Sequence, residues 1–441
     1  MENPKKEQLH PRVLASREIA RVIWSPLWTS NRKKRIDDIL YDYHFFFGTM
    51  LDDESLQTQL LVEEGEAFLI TAPRDVGYEK YGTHRKWQLV FLANSETIIK
   101  AQVLFLNKKF VMMKDRKVTL EQFMEEQQLT GIERLMTFQL DQIKPKMALT
   151  PALSYPIDSG LFPLGRISKQ SLEFGPERTI PVMCMKIKHK SQKFIQKIKD
   201  TANEMLLFGN ERIWRLWGVC DVSPNSCILV MEDIVYGSLS FFVGKHWNSE
   251  QLIRFSHQTC EALRYIEKYG FVHHHLNLDC LMITYRYNIK LAFYGLTDDA
   301  LYPERPKEYT VDQARWIPWE CLPDYGRNDK SNDLTQSTAS SENSTILHGE
   351  DYTSNSMSYT FGSLVWSMCH AATLPFEDQL SDQIMSRGYR KHHTVEVNKQ
   401  CTPNKLQHII FKCWATNKTD RPSLKEMKIQ LRTAVEKLES R

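Results

Sequence analysis

From about Ile157 onward the hydrophobic rhythm changes once, and that change constrains the fold more than any other feature of the chain. Short apolar runs come first, in "VMCMKIK" and "CILVMED"; the remainder is mostly helical, with "SEQLIRFSHQTCEALRYIEKYG" (Ser249–Gly270) the clearest amphipathic helix. Strands gathered ahead of helices give an α+β domain rather than an alternating α/β one. The whole chain has 441 residues, too many for one ordinary core, so it divides into two or three domains.

The rest of the chain supplies the other pieces. Residues 1–40 mix charge with a few tryptophans and carry no clear period, so they read as an N-terminal extension. Residues 41–130 change to helix, strands and helix. "DDESLQTQLLVEEG" has helical spacing and stops at Gly65, "EAFLITAP", "KWQLVFLAN", "IIKAQVLFLN" and "KKFVMM" are strand-like, and "VTLEQFMEEQQL" closes as a second amphipathic helix. Residues 131–155, with the Pro-containing "IKPKMALTPALSYP", read as a linker, and 156–441 as the second large region. Within it, 326–352 is an insert rich in Ser and Asn that buries too little apolar surface to offset its ordering entropy, and it reads as a flexible loop.

Composition excludes several classes of function. The chain is 42% hydrophobic and 25% charged with a formal net charge of +3, an excess too small to argue for nucleic acid or a membrane surface. The cluster "NRKKR" (Asn31–Arg35) reads as a solvated charged patch rather than a nuclear signal. Nine cysteines with no C-x-x-C pair read as reduced thiols, not as a disulfide framework or zinc site. The N-terminus lacks a signal-peptide core and no apolar run approaches a spanning helix, so the expected location is cytoplasmic, without membrane insertion.

The second region carries landmarks in a specific order. They are Lys186 in "VMCMKIK", the hinge-like "ILVMEDIVYGSL", "VHHHLNLDCLMI" (Val272–Ile283), "IKLAFYG", "ARWIPWECL", "YTFGSLVWSM" and "KCWATNKTDRPSL". This series resembles a protein kinase, with V-A-I-K lysine, catalytic loop, D-F-G, A-P-E and closing R-P-S motifs in turn; "ARW" and "KCW" favour the tyrosine-kinase branch. The resemblance implies a bilobal kinase-like fold, and it also shows what is missing. A kinase holds two magnesium ions with the D-F-G Asp and the loop Asn, and uses a loop Asp to accept the hydroxyl proton. Those positions read Phe293, Cys280 and His275. In the glycine-rich loop, "IDSGLFPLG" keeps only Gly160 and Phe162, while Asp158 adds negative charge and Pro163 removes an N–H donor. Counting back from Met205 puts Thr201 where a helix Glu pairs with Lys186, with Asp200 or Glu204 as substitutes.

The structural members survive. His273 keeps the loop's packing histidine, Tyr294 and Gly295 keep the turn, and Glu320 and Arg421 occupy the positions of a buried ion pair. Bland readings stand beside the sharp ones. Lys186 reads alternatively as a solvated strand lysine, Cys280 as an inert half-buried cysteine rather than a reactive thiol, and His273, His274 and His275 as a packing histidine with two exposed neighbours rather than a metal site.

The first region resembles a Src-homology-2 module, in "FFGTMLDDESLQTQLLVEEGEAFLITAP" and "VTLEQFMEEQ". Phosphotyrosine capture in that family needs a buried arginine, here Thr71, and the supporting basic positions fall on Asp52 and Ala101; Arg74 or Arg85 are the available replacements. An unrelated α+β module is the alternative. Both modules together resemble the middle of a Janus kinase, through "LITAPRDVGYEKY", "LMTFQLDQIKPK" and "WIPWECL"; a Fer-like kinase is the related alternative. The expected fold is therefore α+β, a small Src-homology-2-like sheet flanked by two helices followed by a bilobal kinase-like fold. The expected function is that of an inactive pseudokinase without metal or cofactor, acting as scaffold or allosteric regulator. Its expected partners are proteins, a tyrosine kinase or a receptor tail, and not nucleic acid. Two alternatives remain: an unconventional kinase using Asp279 or Asp298, and a nucleotide-responsive switch binding ATP without metal through Lys186 and Gly160.

Overall fold

The computed structural model describes residues 43, 46, 66–71, 87–93, 97–106, 109–113, 117–131, 136–145, 165–174, 178–206, 210–292 apart from 235, 243, 285 and 286, 309–323 and 349–439. These fall in two compact units that divide at Ile234. The first is rich in strands and the second in helices.

The first unit holds two six-stranded sheets. In one, β1 (Glu66–Thr71), β2 (Trp87–Ala93), β3 (Thr97–Leu106), β4 (Lys109–Met113) and β5 (Lys117–Thr119) form an antiparallel meander, and β6 (Thr130–Gly131) lies parallel to β1 at the edge. The apolar side chains of these strand-like runs form its core: Ala67 and Leu69 of β1, Leu89, Val90 and Phe91 of β2 and Phe110, Val111 and Met112 of β4 are all buried. Helix α1 (Leu120–Glu126) starts where Thr119 and Gln122 form a reciprocal capping box, and it turns Phe123 onto Phe91, edge to face at 6.2 Å. The expected helix over "DDESLQTQLLVEEG" lies outside the described residues.

The second sheet runs β7 (Met136–Thr137), β11 (Leu216–Ser223), β12 (Ser226–Glu232), β10 (Arg178–Lys188), β9 (Gly165–Phe174), β8 (Ile143–Pro145), with helix α2 (Gln192–Leu206) following β10. Part of the expected 131–155 linker is thus corrected: Met136–Thr137 and Ile143–Pro145 are strands of this sheet. Two and three residues show no period, and the strand is created by its neighbours. Five residues separate β7 from β8, yet these sit at opposite edges of six strands. Six strands laid flat at about 4.8 Å spacing place their edges roughly 24 Å apart, more than so short a segment comfortably spans, so the sheet curls toward closure. The 3-10 turn Leu140–Gln142 touches both β9 and β11, as that closure requires.

In the second unit, α3 (Ser249–Lys268) begins at an Asn248–Gln251 capping box and buries one face, from Leu252 to Ile266, against α9 (Leu424–Glu439). β13 (Leu281–Ile283) and β14 (Ile289–Leu291) form a short antiparallel pair. After α4 (Val311–Ala314) comes α5 (Ser354–Cys369), buried on every side from Ser356 to Cys369, as the low polarity of "SYTFGSLVWSM" requires. The remaining helices are α6 (Ser381–Met385), α7 (Arg387–His392) and α8 (Asn404–Cys413), the last packed on α5. All nine cysteines are free and eight are buried.

Candidate functional site

In the first unit the site begins with Lys186. Along β10, Met183, Met185 and Ile187 are buried on one face, and Lys186 points from the other, beside the buried Cys184. The lysine is exposed and has no ion-pair partner among the described residues. Asp200, a candidate partner, instead accepts a 2.8 Å hydrogen bond from Gln196 one turn away and is exposed. Thr201 lies on α2, but its side chain and that of Glu204 fall outside the described part, as do Asp158, Gly160, Phe162 and Pro163. Thr71 ends β1 opposite Trp87 and Ala101 sits mid-strand opposite Leu89; Asp52, Arg74 and Arg85 lie outside the described residues.

In the second unit the loop of three histidines is built by caps. Asn277 accepts the backbone N–H of Asp279 at 2.8 Å and starts the 3-10 turn Leu278–Cys280 that feeds β13. The three rings diverge. His273 is fully buried and bonds the carbonyl of Ala292 through Nε2 at 3.2 Å; burial, helped by the neighbouring His275 and His274, pushes its pKa down to about 3, so it is a neutral donor. His274 lies 5.3 Å from the Tyr352 ring. His275, half-buried, meets the side-chain amide of Gln313 at 3.0 Å through Nδ1. That amide's orientation is fixed because its oxygen already accepts the N–H of Thr310 in a capping box, which leaves the nitrogen to donate. Nδ1 of His275 is therefore an acceptor, and the ring proton of the neutral form sits on Nε2. No group of three or more metal-ligating side chains occurs among the described residues.

Cys280 is fully buried and donates to the carbonyl oxygen of His275 at 3.2 Å; desolvation raises its thiol pKa far above the ordinary value. It is a closed, protonated thiol, the opposite of an activated cysteine. Asp279 accepts the hydroxyl of Ser240, whose oxygen is also 2.7 Å from that of Ser238. Phe293, Tyr294, Gly295 and Asp298 lie outside the described residues.

The expected buried ion pair is present. Arg421 grips Glu320 with two arms at 2.5 and 3.0 Å, both side chains nearly free of solvent contact, and its Nε donates to Ala415 at 3.1 Å. Removing one partner of such a pair costs about 3–5 kcal/mol, because the other is left charged in a dry site. A second buried arginine gave no sequence signal. Arg390, 2% exposed within the basic run "RGYRKHH", donates to the carbonyls of Ala314 at 2.6 Å and Ile317 at 2.9 Å and lies 4.0 Å over the ring of Phe376. Through those two carbonyls it holds "ARWIP" in place.

A curled sheet carrying a lysine on β10 with a helix behind it, and a helical unit with a capped histidine loop, a buried Glu320–Arg421 ion pair and an all-buried helix, define a protein-kinase fold. The chain belongs to the protein tyrosine and serine/threonine kinase family, whose model matches residues 155–431. It is similar to the tyrosine-protein kinase-like otk of Drosophila mojavensis, 24% identical over 271 residues covering 57% of this chain and 23% of that protein. It is also similar to that of Drosophila melanogaster, 22% identical over 289 residues. The tyrosine-protein kinase SYK of Gallus gallus is 23% identical over 308 residues, 66% of this chain and 44% of that protein. The matched part spans about a quarter of the otk proteins and under half of the SYK protein.

Proposed function

We propose that the chain is a catalytically inactive tyrosine-kinase-like pseudokinase that acts as a scaffold or allosteric regulator in tyrosine-kinase signalling. The observation that carries this reading is Cys280. At the position where a kinase offers an amide oxygen to magnesium stands a buried thiol that keeps its proton and points it at a backbone carbonyl. Magnesium takes hard oxygen ligands, and a neutral thiol is not one. His275, at the position of the proton acceptor, receives a hydrogen bond on Nδ1 and carries its ring proton on Nε2, so the neutral ring has no lone pair to offer a substrate hydroxyl. Phosphoryl transfer rests on metal-assisted charge neutralisation and positioning, and both supports are chemically altered here.

An unconventional kinase that relies on Asp279 is the competing reading. The carboxylate of Asp279 is already engaged by Ser240, which disfavours it. Exposed Lys186 supports a narrower possibility, metal-independent ATP binding together with Gly160, which would stiffen the strand-rich part of the kinase region. Residues 41–130 fit a degenerate Src-homology-2-like module of Janus-kinase type, supported by the meander β1–β5, the capped helix α1 and the threonine where a phosphate-gripping arginine belongs. The partners are then an active tyrosine kinase or a cytokine-receptor-like tail in the cytoplasm.

The test is incubation of the full chain with labelled ATP and either magnesium or manganese, beside a Lys186→Ala control. The expected result is no transfer to the chain or to a tyrosine polymer above that control. Transfer above it would replace this reading with the unconventional kinase. A rise in melting temperature with ATP in chelator, lost in Lys186→Ala, would add the nucleotide switch to the scaffold reading.

A further inference from the structure

Among the described residues, the stretch from β6 to β7 passes directly from one sheet of the first unit to the other. Thr130–Gly131 extends the first sheet beside β1. Four residues later Met136–Thr137 extends the second sheet beside β11, and Phe138 adds a backbone bond to the carbonyl of Val219 at 2.9 Å. The five steps from Gly131 to Met136 span at most roughly 18 Å, so the two sheet edges are held close by the covalent chain alone. The fit at β11 is tight. A Cβ on Gly218 would stand 2.2 Å from the carbonyl oxygen of Met136 and 2.6 Å from the Phe138 ring. Only glycine lets β7 seat.

A side-chain tie runs beside this connection. Arg215, 5% exposed, has its backbone fixed in the second sheet, because its carbonyl accepts the N–H of Glu232 at 2.9 Å while the indole of Trp214 donates to Glu232's carbonyl at 2.8 Å. Its guanidinium reaches the first sheet and donates to the carbonyl of Phe46 at 3.1 Å. Phe46 in turn bridges to Leu69 of β1, and its N–H bonds the carbonyl of Tyr43, whose hydroxyl bonds Glu121 on α1 at 2.6 Å and whose ring meets Phe110 on β4. One buried cation therefore joins the kinase sheet to a segment bolted to β1, β4 and α1.

We propose that residues 136–145 act as a clasp whose closure is controlled by the first sheet: they join both edges of the curled kinase sheet, and the first sheet holds their N-terminal end against β11 through the short β6–β7 connection and Arg215. A protein that engages or displaces the first sheet thereby changes the opening of β7 and, through β11, the footing of α2, which packs on that strand. The device needs no nucleotide, so it does not rest on the function proposed above and fails or stands separately from it.

Hydrogen exchange measured by mass spectrometry on the full chain tests it with two variants. Arg215→Met removes the tie, and Gly-Ser-Gly-Ser inserted after Arg134 lengthens the connection without touching either sheet. In each, peptides covering 136–145 and 216–223 should exchange at least tenfold faster than in the parent chain, while α3 and α5 stay unchanged. Parent-like exchange of those peptides in both variants would overturn the clasp. If Arg215→Met unfolds the whole sheet, the lengthened chain alone decides: faster exchange at 136–145 upholds the coupling and unchanged exchange rejects it.

Discussion

At the scale of single residues, His273 shows how burial turns a common side chain into a pH-dependent element. Folded, its pKa lies near 3, while in the unfolded chain it is near the ordinary histidine value of 6.5. Above pH 6.5 the ring is neutral in both states and contributes no pH dependence. As pH falls from 6.5 toward 3, the unfolded chain binds a proton that the folded chain refuses, so stability drops by about 1.4 kcal/mol per pH unit from this group alone. Urea unfolding of the parent chain and His273→Gln between pH 7 and 4 should show the variant's stability falling with a slope shallower by about one proton. Equal slopes would place the titration elsewhere. His273 was legible from the loop pattern, whereas the bond between His275 and Gln313 was not. That contact joins residues far apart in sequence, and no local rule marks it.

At the scale of elements, Gly362 separates propensity from packing. Glycine inside a helix is normally worse than alanine by about 0.5–1 kcal/mol, so alanine at an open site would stabilise α5. Here the added Cβ would meet the Cβ of Cys413 at 2.5 Å, with the Trp414 ring behind it at 3.4 Å. Overpacking of this kind costs about 1–3 kcal/mol and outweighs the propensity gain. Gly362→Ala should therefore lower stability by about that net amount in chemical denaturation, and a gain would show that α8 yields freely. The long elements were readable because their signals are local: the strand-like runs became β1 to β4, and the amphipathic stretches "VTLEQFMEEQQL" and "SEQLIRFSHQTCEALRYIEKYG" became α1 and α3. β7 and β8 were not, because strands of two and three residues exist only where a neighbouring strand offers its unpaired edge.

At the scale of the whole molecule, the polar insert and the division of the chain give different lessons. Gly349 returns so close to the point of departure that a Cβ there would touch the carbonyl oxygens of Cys321 and Leu322, and Glu350 donates to the carbonyl of Glu320 at 2.8 Å. A loop whose ends already meet can be shortened at little entropic cost. Replacing 327–347 by Gly-Ser-Gly-Ser should leave the thermal unfolding midpoint unchanged or raise stability by about 1 kcal/mol; a clear loss would mean that the insert packs on the domain. The Lys186, histidine-loop and Glu320–Arg421 positions could be placed from the sequence, because motif order and residue type are properties of the chain itself. The sequence alone also determined that no oxygen ligand stands at Cys280 or Phe293 and no carboxylate at His275, since chemistry follows from which atoms are present. Only the tertiary structure decided that Cys280 is sealed, that Arg390 is a buried clamp and that the expected linker closes the kinase sheet. Burial and hydrogen-bond partnership are set by residues distant along the chain, and they exist only once it has folded.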